Sequence, residues 1–421
     1  MYKEGCFLTA VEFYDRTPVE NIISSVTTAP DKIIFIGDGK RMKKFHGNFR
    51  AFLAGRGIDT KLEYRSINRH DLDSIVKVLT DIVENEDECV FDLTGGDDLA
   101  LVAMGIVYQK YKDTKKLQMQ RFNIRNGVVT DCDDDGTVIY EGTPELTVAE
   151  NIMLHGGSIR KSEFDSRVNE WELTEDIKTD VELMWEICRR DPGLWNTQLN
   201  VLAALDDFAG DEDSLEVSVH LANVEEHLEN VGVKYVSVLE MLIELFRNEL
   251  ILDLSADEEH ISYSYKNQQI KKCLTKAGNV LELKVLVAAG DLTEKDGSPY
   301  YTDSLSGVFI DWDGEEHCIG DDEKDTENEI DVILMKGMVP VFISCKNGQV
   351  GDDELYKLDA VANRFGSRHV KKVLIATYLG KKAQSMEYFR QRAKDMNITL
   401  IDGVHELDYD EFQRMIRNLS V

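Results

Sequence analysis

Along the first 125 residues, short apolar runs rich in β-branched and aromatic residues alternate with stretches whose apolar positions recur at helical spacing. Cys6–Phe13, Asp31–Asp38, Thr60–Ile67 and Glu88–Gly96 read as strands, the last running into a glycine loop. Pro18–Ser25, Lys40–Gly55, Leu72–Val83 and Asp97–Tyr111 read as helices, and Leu117–Ile124 as a closing strand. Strands and helices in strict alternation predict a parallel sheet covered on both faces, a Rossmann-like unit.

The C-terminal third carries a second α/β pattern in a different order. Leu281, Val285 and Leu286 predict a helix entered through Gly278 and Asn279. The apolar runs Ile330–Met335 and Val339–Ile343 flank Lys336-Gly337 and predict a β-hairpin. A helix follows, with Asp352 or Asp353 as N-cap and Gly366 as its stop. Then come a strand in Val373–Gly380, a helix over Lys382–Asp395, a strand in Ile398–Gly403 and a helix over Asp408–Asn418.

Between the two lies a polar hairpin, Gly127–Tyr140, with Asp131–Gly136 at its turn, and then an acidic stretch. Glu163, Asp165, Glu170, Glu172, Glu175, Asp176 and Asp180 are expected on a solvated face. Helical patterns at Val181–Arg189, Trp195–Leu205, Val224–Val231 and Tyr235–Asn248 follow. Leu250–Tyr265 reads as the wing of a small winged-helix module. Trp171, Trp185 and Trp195 are expected in the core. The organisation expected is residues 1–157 as one α/β unit, 158–277 as a mainly helical connector and possible dimerisation module, and 278–421 as a second α/β unit.

Composition narrows the function. A chain of 421 residues with 43% hydrophobic residues can bury two or three cores. The formal charge of −31 argues against a passive nucleic-acid binder, which needs a basic face. It leaves room for an enzyme whose divalent ions bring positive charge with the substrate. The seven cysteines are scattered without zinc-ligand spacing, as expected for reduced thiols in a cytosolic protein. No apolar run approaches the ~20 residues of a membrane span, so no membrane partner is expected.

The hairpin holds the candidate chemistry. Side chains alternate along a strand, so Asp331 shares a face with Ile333, and Ser344 shares one with Lys346. An acid beside a lysine on paired strands suits a divalent metal that activates water while the ammonium meets charge on a phosphate. A half-buried hairpin with charges facing solvent fits the same residues. Glu282, in the first turns of the helix before it, supplies a further acid. In the first unit, ligands are expected at the C-terminal strand ends, in the loops Glu12–Thr17, Gly37–Lys40 and Thr94–Asp98. Phe13, Asp15, Gly37, Asp38, Lys40, Thr94, Gly95, Gly96 and Asp97 lie in them. The paired glycines of Thr94-Gly95-Gly96 suit either close approach of a ligand or a tight strand-to-helix turn with Thr94 or Asp97 as cap.

The order helix, hairpin, helix, strand, helix, strand, with Glu282, Asp331 and Lys346, resembles the PD-(D/E)xK nuclease superfamily. Ser344 stands where that pattern usually has an acid. Phe91 to Gly105, FDLTGGDDLALVAMG, resembles the CRISPR-associated Rossmann fold domain, and Leu146–Gly157 resembles its exit. Members pairing this domain with such a nuclease are dimeric type III CRISPR effectors. The resemblance therefore implies a cytoplasmic homodimer activated by a cyclic oligoadenylate, the two-fold symmetric tetra-adenylate above all. It implies cleavage of single-stranded RNA, DNA or both with Mg²⁺ or Mn²⁺. The catalytic set implied is Glu282, Asp331, Ser344 and Lys346, with metal held by Glu282, Asp331 and the Cys345 carbonyl. Glu354, early in the following helix, is the candidate for a further carboxylate, or it only complements the helix dipole. Activator phosphates are expected on the glycine amides and on Lys40 or Arg41. The alternative is a sensor whose nuclease-like unit is inactive and binds nucleic acid or a partner.

Overall fold

A computed structural model describes residues 7–15, 17–123, 127–132, 136–142, 144–162, 168, 171–210, 214–232, 234–276, 278–314, 327–366, 368–380 and 383–420. Cys6, Cys318, Lys382, the acids Glu163, Asp165 and Glu170, and residues 133–135 of the polar turn lie outside them.

The N-terminal elements are β1 (Leu8–Phe13), a 3₁₀ turn over Pro18–Ile22, α1 (Ile23–Thr27), β2 (Lys32–Gly37), α2 (Gly39–Gly55), β3 (Lys61–Ser66) and α3 (Leu72–Asn85). They continue with β4 (Glu88–Asp92), α4 (Asp98–Tyr111), β5 (Lys116–Asn123), β6 (Val128–Asp131) and β7 (Val138–Glu141). One sheet holds all seven strands in the order β3-β2-β1-β4-β5-β6-β7. The first five are parallel; β6 and β7 add an antiparallel edge. β1 and β2 are buried at every position, which is why they read as continuous apolar runs rather than alternations. The winding reverses between β1 and β4, and a crevice opens at such a switch point.

Helix α5 (Val148–Leu154) starts in a capping box of Thr147 and Glu150. Its first amide, Val148 N–H, donates to Asp303 at 2.7 Å and so ties the two ends of the chain together. The next strand, β8 (Ser158–Ile159), pairs with a strand of the C-terminal sheet.

The middle contains α6 (Glu175–Cys188), α7 (Pro192–Ala209), β9 (Glu216–His220), α8 (Leu221–Val231), α9 (Tyr235–Arg247), β10 (Ile251–Ala256), β11 (His260–Tyr265) and α10 (Gln268–Thr275). The expected wing is the β10–β11 hairpin, and β9, which was not anticipated, completes a three-stranded antiparallel sheet. Trp185 and Trp195 are buried, and Trp171 packs half-buried against the same core. Asp180 departs from the expected solvated face. It is buried and paired with Lys266 at 2.8 Å, because α6 begins earlier than its apolar run suggests and turns this acid inward.

The last part holds α11 (Asn279–Gly290), β12 (Asp303–Asp311), β13 (Glu327–Lys336), β14 (Val339–Lys346), α12 (Asp353–Phe365), β15 (Lys371–Ala376), α13 (Ala383–Asp395), β16 (Ile398–Asp402) and α14 (Tyr409–Asn418). Its sheet runs β16-β15-β14-β13-β12-β8. Strand β12 was not anticipated; Gly307, at φ +60°, interrupts its alternation. The hairpin register runs on to Lys336 opposite Val339, so the turn is Gly337-Met338, one residue later than expected. Val341, Ile343 and Cys345 of β14 face one core with α11, whereas Phe342 faces the other with α12. Asp331, Ser344 and Lys346 share this second face. Among the described residues no helix is long and apolar enough to cross a membrane.

Candidate active site and ligand crevice

Side by side at the same end of β13 and β14, Asp331 and Lys346 are separated by 3.1 Å. Oδ2 of Asp331 accepts three donors: the Cys345 amide at 2.6 Å, the Ser344 hydroxyl at 3.1 Å and the Lys346 ammonium at 3.1 Å. The hairpin pairing ends at Val332 opposite Ile343, which frees the Cys345 N–H to turn to the carboxylate instead of the ladder. On an extended strand the carbonyl leaves on the same edge as its N–H, so the Cys345 carbonyl also faces Asp331.

Glu354, one residue into α12, reaches Lys346 at 3.3 Å and Lys357 at 3.0 Å. Asp331, Ser344, Lys346, Glu354 and Lys357 line one cleft of about 270 Å³. Burial opposes the charge of Lys346, but Asp331 and Glu354 outweigh it and hold the ammonium protonated. Glu282 approaches from α11. Burial and the charge of Asp331 push its carboxyl up to about 8, against Lys276, and no donor among the described residues bonds its oxygens.

Among the described residues no group of three or more His, Cys, Asp or Glu side chains is gathered around a common metal position. In the cleft, Glu354 and one oxygen of Asp331 are paired with ammonium groups. The remaining donors nevertheless suit a hard divalent cation. They are Oδ1 of Asp331, the Cys345 carbonyl, and the Glu282 carboxyl, which is buried beside another acid with no donor to balance it.

The second cluster sits at the switch point. Asp15, after β1, accepts the Thr17 amide at 2.9 Å and the Gly96 amide at 3.0 Å, tying the first and third loops together. Thr94 N–H donates to Asp92, and the Thr94 hydroxyl accepts the Phe122 amide. Asp97 caps α4 through Ala100 N–H and pairs with Arg69 at 2.6 Å; Arg69 in turn lies over the Phe13 ring. Of the two glycine amides expected to meet phosphate, that of Gly96 is thus already bound by a carboxylate. Gly95 is closely packed: a Cβ there would lie 3.0 Å from Glu20 Oε2 and 3.3 Å from Asp15 Cβ, so these neighbours would have to give by a few tenths of an ångström. Gly96 adopts φ +121°, which disfavours other residues. In the neighbouring loop Gly37 packs on Tyr14, and Asp38 caps α2 through the Lys40 and Arg41 amides. His155, Arg364 and Arg368, which line the adjoining cavity, and Glu20, which pairs with Arg368, were not singled out.

No protein-family model matches the chain, and no curated protein matches it in sequence. The fold, in contrast, is shared: the arrangement of mixed α/β sheets recurs along nearly the whole of two solved structures. One is the crystal structure of protein VC1899 from Vibrio cholerae, which covers 98% of this chain and 97% of its own at 17% identity and a TM-score of 0.73. The other is Can2 from Sulfobacillus thermosulfidooxidans in complex with cyclic tetra-adenylate, covering 96% and 99% at 15% identity and a TM-score of 0.64. At these identities the likeness is one of fold.

Proposed function

We propose that the chain is a nuclease of type III CRISPR defence, switched on by cyclic tetra-adenylate and cleaving single-stranded RNA, DNA or both. The observation that carries this reading is the cleft in which Asp331, Ser344, Lys346 and Glu354 converge, with Glu282 near enough for the charge of Asp331 to act on it. The fold shared with Can2, solved with cyclic tetra-adenylate, supports the activator.

A Mg²⁺ or Mn²⁺ ion, when bound, supplies Lewis acidity and an activated water. Asp331, Glu282 and the Cys345 carbonyl would hold it. The three donors on Oδ2 fix the Asp331 carboxylate so that Oδ1 faces the cleft. Lys346 is positioned by two carboxylates and meets the charge that builds on the phosphate. Ser344 acts through Asp331, by its hydroxyl, rather than on the substrate.

The working unit proposed is a homodimer of three-part chains, bounded at 157 and 277. α4 presents Val102 and Ile106, one turn apart and 50% and 45% exposed, directly after the glycine loop. A two-fold partner on that stripe would bring two glycine loops to one ring-shaped ligand. A catalytically silent sensor is the second reading, favoured by Ser344 in the place of an acid. Incubating the protein with labelled single-stranded RNA and DNA, with and without cyclic tetra-adenylate and Mn²⁺, separates the two. Cleavage that requires both additions is the expected result, and binding without turnover supports the second reading.

A further inference from the structure

A second cavity, of about 450 Å³, opens between the loop after β1 and the C-terminal end of α12. Both α/β halves build it: Asp15 comes from the loop after β1, Arg41 from the first turn of α2, His155 from just past α5, and Arg364 and Arg368 from the last turn of α12 and beyond. Three guanidiniums around one cavity run against the net charge of −31. They are not equivalent. Arg364 is fixed by the carbonyls of His155 at 2.5 Å and Trp312 at 3.1 Å. Arg368 has a side chain 55% exposed and pairs with the buried Glu20 at 2.8 Å.

Beside its guanidiniums the cavity carries an acceptor for a ligand donor, Asp15, and His155 stands in its wall. His155 is buried, its Nδ1 sits 2.8 Å from the Asn151 carbonyl, and its Nε2, closed off from solvent, has no partner among the described residues. The carbonyl can only accept, so Nδ1 carries the proton and Nε2 is an acceptor. Burial lowers the imidazole to about 4, which keeps it neutral. Asp15 is acceptor-only. Guanidiniums suit phosphate oxygens, and a carboxylate suits a ribose hydroxyl or a base amino group.

We propose that this cavity is a nucleotide subsite, in which Arg41, Arg364 and Arg368 take a phosphate while Asp15 accepts from sugar or base. This rests on the nucleotide-activated reading above. Its consequence is that the C-terminal half reads the activator directly. A phosphate at Arg368 competes with Glu20, whose Oε2 also packs where a Cβ of Gly95 would lie. Burial and the charge of Asp15 hold Glu20 up to about 7 against the pull of Arg368, so a released Glu20 readily takes a proton. α12 carries Arg364 at this cavity and Glu354 at the cleft. Ten residues of helix, about 15 Å, thus join the two as one rod.

Titration calorimetry of cyclic tetra-adenylate into the full chain, at two salt concentrations, tests the subsite. Arg368→Gln is expected to weaken binding about tenfold or more and to lower the salt slope by about one. Arg368→Lys, which keeps the charge, should fall between the two, and Glu20→Gln should bind more tightly than the wild type. Wild-type affinity and salt slope in Arg368→Gln overturn the subsite and leave the activator reading standing. Failure of the wild type to bind cyclic tetra-adenylate overturns both. A fall in affinity for Arg368→Gln with unchanged salt slope, and no gain for Glu20→Gln, also overturns it, since a purely structural arginine gives that result.

Discussion

The Cys345 amide donates to Oδ2 of Asp331 at 2.6 Å, across the point where the β13–β14 ladder stops. One main-chain donor thereby turns an ordinary hairpin end into a fixed carboxylate, and the Ser344 hydroxyl and Lys346 ammonium complete its coordination. The serine hydroxyl thus orients its neighbour's carboxylate.

Removing either partner of this pair should stop the chemistry. Lys346→Ala and Asp331→Asn are each expected to lower cleavage by about a hundredfold or more, since each deletes a charge aimed at the phosphate or the cation. Cyclic tetra-adenylate binding, measured by calorimetry, should be unchanged. Cleavage at the wild-type rate by both variants would refute the assignment.

Glu354 divides its carboxylate between Lys346 and Lys357. If it also completes the cation's shell, Glu354→Ala should raise the Mn²⁺ concentration for half-maximal cleavage by about tenfold or more, and Ser344→Glu in that background should restore part of it. An unchanged Mn²⁺ titration would leave Glu354 as a partner of the two lysines alone.

At Gly95 the neighbouring carboxylates pack close enough to crowd a large side chain. Gly95→Trp should displace Asp15 and Glu20, weaken cyclic tetra-adenylate binding and leave the nuclease idle with ligand present. Wild-type affinity by calorimetry would reduce the glycine pair to a turn.

Val102 and Ile106 expose an apolar stripe on α4. Val102→Asp combined with Ile106→Asp should convert a dimer to a monomer in sedimentation velocity, because two carboxylates per copy would be buried unpaired. A dimer that survives places the interface elsewhere.

Glu20 gives a stability signature with a defined sign. Its carboxyl titrates near 7 in the folded chain, raised by burial and by Asp15, with Arg368 opposing and Asp92 adding to the rise. An unfolded glutamate titrates near its usual value of about 4.3. Between these two values the unfolded state has released the proton and the folded state has kept it, so stability falls as pH rises. Glu20→Gln should remove that loss. It should melt higher than the wild type at pH 8, by roughly 1–3 kcal/mol of stability, with the difference vanishing near pH 4. A difference that is the same at both pH values would show that the buried charge is not its source.

Elements whose cause is local were legible in the residues. The buried runs of β1 and β2, the hairpin around Gly337, the Asp97 cap of α4 and the Gly366 stop of α12 follow from side-chain period, turn chemistry and capping. Asp331 and Lys346 could be placed on one face because side chains alternate along paired strands, but the register, with Asp331 beside Ser344, came only with the turn at Gly337-Met338. β12 escaped because Gly307 breaks its alternation, and Asp180 escaped because its partner, Lys266, lies 86 residues away. Glu20 and Arg368 stand 348 residues apart, with no motif around either. Only the packing of the two α/β halves brings them together, since periodicity reports the face a side chain takes and long-range packing decides what that face meets.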